Sequence, residues 1–204
     1  MVTYLNKILL FILFPTLLIA GDVTLENIYE DVIITYSTIY TYEAEFKQEN
    51  YWAEINIDKI SKGKLYYDKE NLLMDYSQPD GQKLHINKEF MTMYDPIAGQ
   101  AMISDEFEIE LRPDKLISLY WDVSEKEIID QYDNTVKIML KSPQEEDIII
   151  TISDKLVTEF NIVDENGNFV IYKFSNVNIN KALPENIFEL TLPDSTNIFD
   201  TRNK

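Results

Sequence analysis

One histidine, no cysteine, five glycines and 36 acidic residues bound the chemistry open to this chain. His85 stands between Leu84 and Ile86 in an alternating stretch, so its imidazole faces away from both. Imidazole is the commonest general base, but no nucleophile motif accompanies it, and a polar residue on the wet face of a strand fits the position better. The carboxylates cluster at Asp105-Glu106-Glu108-Glu110 and Glu145-Glu146-Asp147. Two of them at the right separation would serve a glycosidase, whereas solvated acidic loops require no particular spacing. Asp164-Glu-Asn-Gly-Asn168 has the oxygens for calcium but lacks the twelve-residue spacing and closing glutamate of an EF-hand loop. Without cysteine there is no thiolate nucleophile and no disulfide. Gly81, Gly99 and Gly167 lie in turns, Gly21 at a cleavage site and Gly63 at a strand start, so no phosphate cradle forms. The reading is of a chain with no catalytic residues, no metal ligands and no cofactor.

The concentrated resource is apolar and soft. Tyr42, Phe46, Leu72, Met74, Tyr76, Phe90, Met91, Met93, Tyr94 and Met102 crowd into one stretch. Such a set makes an ordinary core, or it lines an adaptable pocket for flexible apolar ligands.

The elements that carry these residues read as an antiparallel meander. In Thr41–Gln48 the even positions are apolar and the odd ones polar, the period of a half-buried strand. The pattern resumes on odd positions at Tyr51, Ala53, Ile55 and Ile57, which predicts a bulge or corner near Glu49-Asn50. Further strands are expected over 64–68, 72–77, 82–87, 89–95 and 100–103, separated by turn chemistry such as Pro79-Asp80-Gly81. A sheet with one apolar face must bury it.

Before the meander, Thr24 reads as an N-cap, and Leu25, Ile28, Tyr29, Val32, Ile33, Tyr36 and Ile39 recur at helical spacing. This amphipathic helix is expected to end near Ser37 and to lie on the concave apolar face. After the meander, Pro113 or Asp114 is expected to begin a short apolar helix, Lys115 to Trp121, with Leu116, Leu119 and Tyr120 on one side. Ser124-Glu-Lys-Glu127 has capping-box form and predicts another short helix through Tyr132. Strands return at 135–141, 147–153, 156–163 and 169–178, followed by a helical turn at 184–188 and an extended end, for about ten strands in all.

Residues 1–20 have the form of a signal peptide: Lys7, then an apolar block from Ile8 to Ile19, then Ala20. The remaining 21–204 is long enough for a single domain with a sizeable core. Without cysteines its stability rests on apolar packing. The net charge of −18 makes nucleic acid and anionic surfaces poor partners for the surface as a whole.

The order of these pieces resembles the LolA family of periplasmic outer-membrane lipoprotein carriers. The matching pieces are Tyr42-Glu-Ala-Glu-Phe46-Lys-Gln48, Gly63-Lys-Leu-Tyr-Tyr67, Leu72-Leu-Met74-Asp-Tyr76-Ser-Gln-Pro79 and Met93-Tyr94-Asp95. Phe174-Ser-Asn-Val-Asn-Ile-Asn180 leading to Phe188-Glu-Leu-Thr-Leu-Pro193 completes the set. The resemblance implies a mainly β fold with α: an unclosed antiparallel β-barrel, or half-barrel, with helices covering the concave apolar face. It implies a monomeric periplasmic carrier that holds acylated lipoproteins, loaded from an inner-membrane ABC-type release complex and unloaded to an outer-membrane LolB-like receptor. Phe46, Leu72, Met74, Tyr76, Met91, Met93 and Met102 are the expected cavity wall, and Ile33 and Tyr36 the expected lid contacts. The family carries a lid-controlling basic residue before the strand that begins here at Leu72, and Lys69 is its nearest substitute. A hollow is expected beneath the long helix. Two rivals share the sequence features: an envelope lipid-binding sensor of the same fold, and a hydrolase using a carboxylate pair.

Overall fold

The computed structural model describes residues 24–105 and 111–202. The signal peptide expected over 1–20 and the acidic positions Glu106, Glu108 and Glu110 lie outside the described residues.

Helix α1 spans Leu25–Ser37, and Thr24 caps it by accepting from the Asn27 N–H at 3.2 Å. Its inward stripe is Ile28, Val32 and Tyr36, flanked by Leu25 and Tyr29. Ile33 is not on that stripe. One residue past Val32 it is turned about 100° away, a consequence of the 3.6-residue period, and it is only half-buried. The helix enters β1 (Tyr42–Trp52) through a junction clamped by Asn180. That amide accepts from the Tyr40 N–H at 2.8 Å and donates to the Thr38 carbonyl at 3.0 Å.

The strands after β1 are β2 (Ile57–Tyr67), β3 (Leu72–Gln78), β4 (Asp80–Ile86), β5 (Met91–Asp95) and β6 (Gln100–Ser104). Helix α2 (Pro113–Trp121) intervenes before β7 (Glu125–Tyr132), β8 (Thr135–Lys141), β9 (Asp147–Ser153), β10 (Leu156–Val163), β11 (Phe169–Ile179) and β12 (Asn197–Asp200). The twelve strands form one sheet in the order β12-β6-β5-β4-β3-β2-β1-β11-β10-β9-β8-β7. Every pair is antiparallel except β12 with β6. Its two end strands, β12 and β7, do not pair with each other, so the sheet is an unclosed half-barrel, as expected.

Three local readings are corrected. No break occurs at Glu49-Asn50: β1 runs through to Trp52 in unbroken register with β2. Gln48 and Asn50 take inward positions and satisfy each other at 3.1 Å, while Tyr51 turns outward to stack on Phe169 at 5.2 Å. The irregularity instead falls between Glu43 and Glu45, opposite β11. Second, the capping-box segment is not a helix but edge strand β7, because eight residues gain more from a complete ladder with β8 than from a short helix with no apolar stripe. Ser124 caps nothing there; its hydroxyl is buried without a partner among the described residues. Third, residues 184–188 form a non-helical turn closed by Ile187 N–H to the Pro184 carbonyl.

Pairing fixes which side chains share a face. Tyr42, Ala44 and Phe46 stand opposite Tyr67, Leu65 and Gly63, which in turn oppose Leu72, Met74 and Tyr76. Gly63 is in mid-strand, and the close approach of β3 requires it: a Cβ there would run into the Asp75 carbonyl. The other face of the meander is not wet throughout. Leu73, His85, Thr92 and Ala101 are buried there, where the C-terminal stretch crosses and Phe188 stacks on His85 at 6.2 Å. His85 is therefore a covered residue, correcting its expected exposure.

Candidate lipid-binding face

The concave face is largely apolar, with Gln48 and Asn50 as polar positions at one end of β1. Across β3, β4, β5 and β6 the register Met74–Leu84–Met93–Met102 forms one row and Leu72–Ile86–Met91–Ser104 the next. On the other side of β1, Phe174, Tyr172, Phe160, Ile150 and Ile138 continue the face through β11 to β8. All seven residues expected in the cavity wall, Phe46, Leu72, Met74, Tyr76, Met91, Met93 and Met102, point to this side. Five are buried, with Phe46 edge-on to Tyr76 at 5.0 Å. Met93 and Met102 are 37% and 39% exposed, because α1 and α2 land at the β7–β10 end and leave the β5–β6 end uncovered. Phe199 of β12, opposite Met102, extends this open row.

The lid is α1 and α2 together. Helix α1 touches β10, β7 and α2, and α2 touches β10. Tyr29 stacks on Trp121 at 4.4 Å and its hydroxyl donates to Ser118 at 3.3 Å, fastening one helix to the other. Helix α2 buries Leu116, Ile117 and Trp121 and leaves Leu119 60% exposed, so Leu119 is not on its inward side. The expected hollow beneath α1 is filled by the protein's own side chains: Val32, Tyr36, Val157 and Phe160 are packed there out of water. Tyr36 is fixed by accepting from the Val157 N–H at 3.2 Å.

A polar node sits under the lid. Tyr42 and Tyr67 stack at 4.5 Å, and the Arg112 guanidinium, which starts α2, lies 4.7 Å over the Tyr67 ring while paired with Asp114 at 3.1 Å. The hydroxyls of Tyr42 and Tyr67 are buried without a hydrogen-bond partner among the described residues. Burial, reinforced by the Asp114 carboxylate, pushes both phenols well above their ordinary value. Arg112 is the lid-to-sheet basic contact that sequence reading missed. Its signal was its place one residue before Pro113, at the N-cap of α2. Lys69 lies instead in the exposed β2–β3 turn and makes no ion pair with either helix among the described residues.

Two hollows open at the margins of this face. One, of about 300 Å³, lies between α2 and the β2–β3 and β4–β5 turns, with Leu72, Ile86 and Leu111 as its apolar part. Another, of about 290 Å³, opens near Trp52, Ile162 and Val170 at the opposite ends of the strands. A larger groove of about 840 Å³ runs along the outer face, where Lys64 pairs with Glu43 and Lys83 with Asp75, and its charged walls do not suit an acyl chain. Among the described residues, no cluster of three histidine or acidic side chains could hold a metal. No helix there is long and apolar enough to cross a membrane.

The family model for the outer membrane lipoprotein carrier protein LolA matches residues 37–191. No curated protein sequence matches the chain. Among solved structures, an uncharacterized conserved protein from Thermus thermophilus aligns with a TM-score of 0.58 at 12% identity, covering 86% of this chain and 98% of that one. MucB aligns at 0.56 and 8% identity, covering 81% of this chain and 62% of MucB. A LolA superfamily protein from Nitrosomonas europaea aligns at 0.43 and 10% identity over 81% of this chain and 97% of that one.

Proposed function

The chain belongs to the LolA family of outer membrane lipoprotein carrier proteins, and from that premise we propose that it shelters the acyl chains of lipoproteins in the periplasm. It carries them from the inner to the outer membrane without covalent chemistry. The observation that supports this reading is the broad, mostly apolar concave face beneath a lid held by few polar ties. Among the described residues these ties include the Arg112 guanidinium over the Tyr67 ring, the Tyr36 bond to β10, the Tyr29 bond between helices, the Tyr120 bond to Glu146 and the exposed Asp31–Lys155 ion pair at 3.2 Å.

A 16-carbon chain exposed to water carries a penalty of roughly 12 kcal/mol at about 0.8 kcal/mol per CH₂. Sheltering it is therefore the whole task, and no reaction is needed. With the interior beneath α1 filled, cargo enters by lifting the helices and taking the place of Val32 and Tyr36 against the sheet. Two features reduce the cost of opening. The orphaned Tyr42 and Tyr67 hydroxyls are desolvated in the closed state and regain partners when it opens. Replacement of one apolar contact by another leaves the sheet's buried area nearly unchanged. Asn180 holds the C-terminal end of α1, so the swing is about that end. Residues 21–204 form the single carrier domain in this reading. An inner-membrane ABC-type release complex is the donor and a LolB-like receptor the acceptor.

The test is in-cell crosslinking, purification from the native envelope and mass spectrometry of what comes with the protein. Acylated lipoproteins with intact chains are expected. Recovery of no lipid and no lipoprotein, or of one membrane-bound regulator in their place, would overturn the carrier reading.

A further inference from the structure

The hollow of about 300 Å³ beside α2 differs from the rest of the concave face in carrying charge. Lys69 from the β2–β3 turn, Lys88 from the β4–β5 turn, and Arg112 and Lys115 from the start of α2 converge on it. Its carboxylates and their neighbours are already committed. Asp68 accepts from the Glu70 and Asn71 N–H groups at 2.7 Å each, Glu70 pairs with Lys88 at 2.7 Å, and Asp114 pairs with Arg112. This leaves Lys69 and Lys115 without a carboxylate partner among the described residues, in a chain with twice as many acids as bases. The first turn of α2 lines the same hollow, and the positive end of its dipole adds to the field.

Below this rim the surface is apolar. Leu72, Ile86 and Leu111 form it, and cross-strand pairing carries it from Ile86 to Met91 and, one row over, from Leu84 to the open side chains of Met93 and Met102. A basic rim continuous with a greasy strip is the complement of an anionic amphiphile. We propose that this mouth binds the phosphate headgroup of an anionic lipid, with the acyl chains laid along Ile86, Met91, Met93 and Met102. The inference rests on the carrier reading and adds a headgroup preference to it.

The test uses the purified protein and two lipids with identical chains, dioleoyl phosphatidylglycerol and dioleoyl phosphatidylcholine, competed in native mass spectrometry. The protein is expected to favour the anionic lipid about tenfold, the effect of two partly exposed charge contacts. The double variant Lys69→Glu with Lys115→Glu should bring that ratio to within about twofold. Equal retention of both lipids by the native protein overturns the headgroup proposal and leaves the carrier reading standing, as does a variant that keeps the preference. Retention of neither lipid overturns the headgroup proposal, while the carrier reading stands or falls on what co-purifies from the envelope. Inorganic phosphate is titrated alone: saturable binding of it without lipid binding would make the mouth a free-anion site and overturn the lipid assignment.

Discussion

Tyr42 and Tyr67 bring their rings to good account, stacked on each other and under Arg112, and leave their hydroxyls stranded. Replacement by phenylalanine keeps the stack and removes a desolvated donor. Tyr42→Phe and Tyr67→Phe are each expected to raise stability by about 1 kcal/mol, read from the midpoint of urea unfolding. A loss of that size instead would show that the hydroxyls have partners. His85, on the opposite face, is perturbed in a different way. Burial lowers its pKa, partly offset by Asp68, so the unfolded chain takes up the proton more readily than the folded one. The sign follows from linkage: this contribution is complete above the ordinary imidazole value of 6.5 and is lost as pH falls below it. Urea midpoints measured from about pH 7.5 down to 5 should decline in the native chain, and His85→Gln should remove the part of that decline that begins near the imidazole value.

Elements whose rules are local were legible before any coordinates. Thr24 caps α1, and Leu25, Ile28, Val32 and Tyr36 mark its stripe. What sequence did not reveal depends on distant partners. Glu125–Tyr132 is a strand because β8 is beside it, Gly63 is required because β3 passes close, and Met93 and Met102 are open because the helices land at the far end of the sheet. Which face a strand residue takes follows from parity, which is local; coverage is not. The thin fastening of the lid can be tested at this scale. The chain has no cysteine, so Asp31→Cys with Lys155→Cys gives the only thiol pair, at an exposed ion pair that joins α1 to the start of β10. Bridging them with a short bis-maleimide should slow uptake of a fluorescent fatty acid more than about tenfold, whereas either single-cysteine variant treated alike should retain it. Undiminished uptake in the bridged protein would mean that cargo enters without α1 moving.

The whole molecule carries a net charge of −18, while the mouth beside α2 gathers Lys69, Lys88, Arg112 and Lys115. These two fields act over different distances, and salt separates them. The net charge repels an anionic bilayer at long range, over about 30 Å at 0.01 M salt but only about 10 Å at 0.1 M. The basic rim acts on a headgroup already within a few ångströms, and its contacts are partly exposed, so salt weakens them too. Extraction of lipid from phosphatidylglycerol vesicles should therefore show opposite trends in its two stages. Encounter should quicken between about 0.01 and 0.1 M salt as the general repulsion is screened, while the preference for phosphatidylglycerol over phosphatidylcholine at equilibrium should shrink. Stopped-flow transfer of a fluorescent phosphatidylglycerol gives the first quantity and native mass spectrometry the second. A transfer rate that falls over this range would show that the basic mouth, rather than the acidic surface around it, governs approach to the membrane.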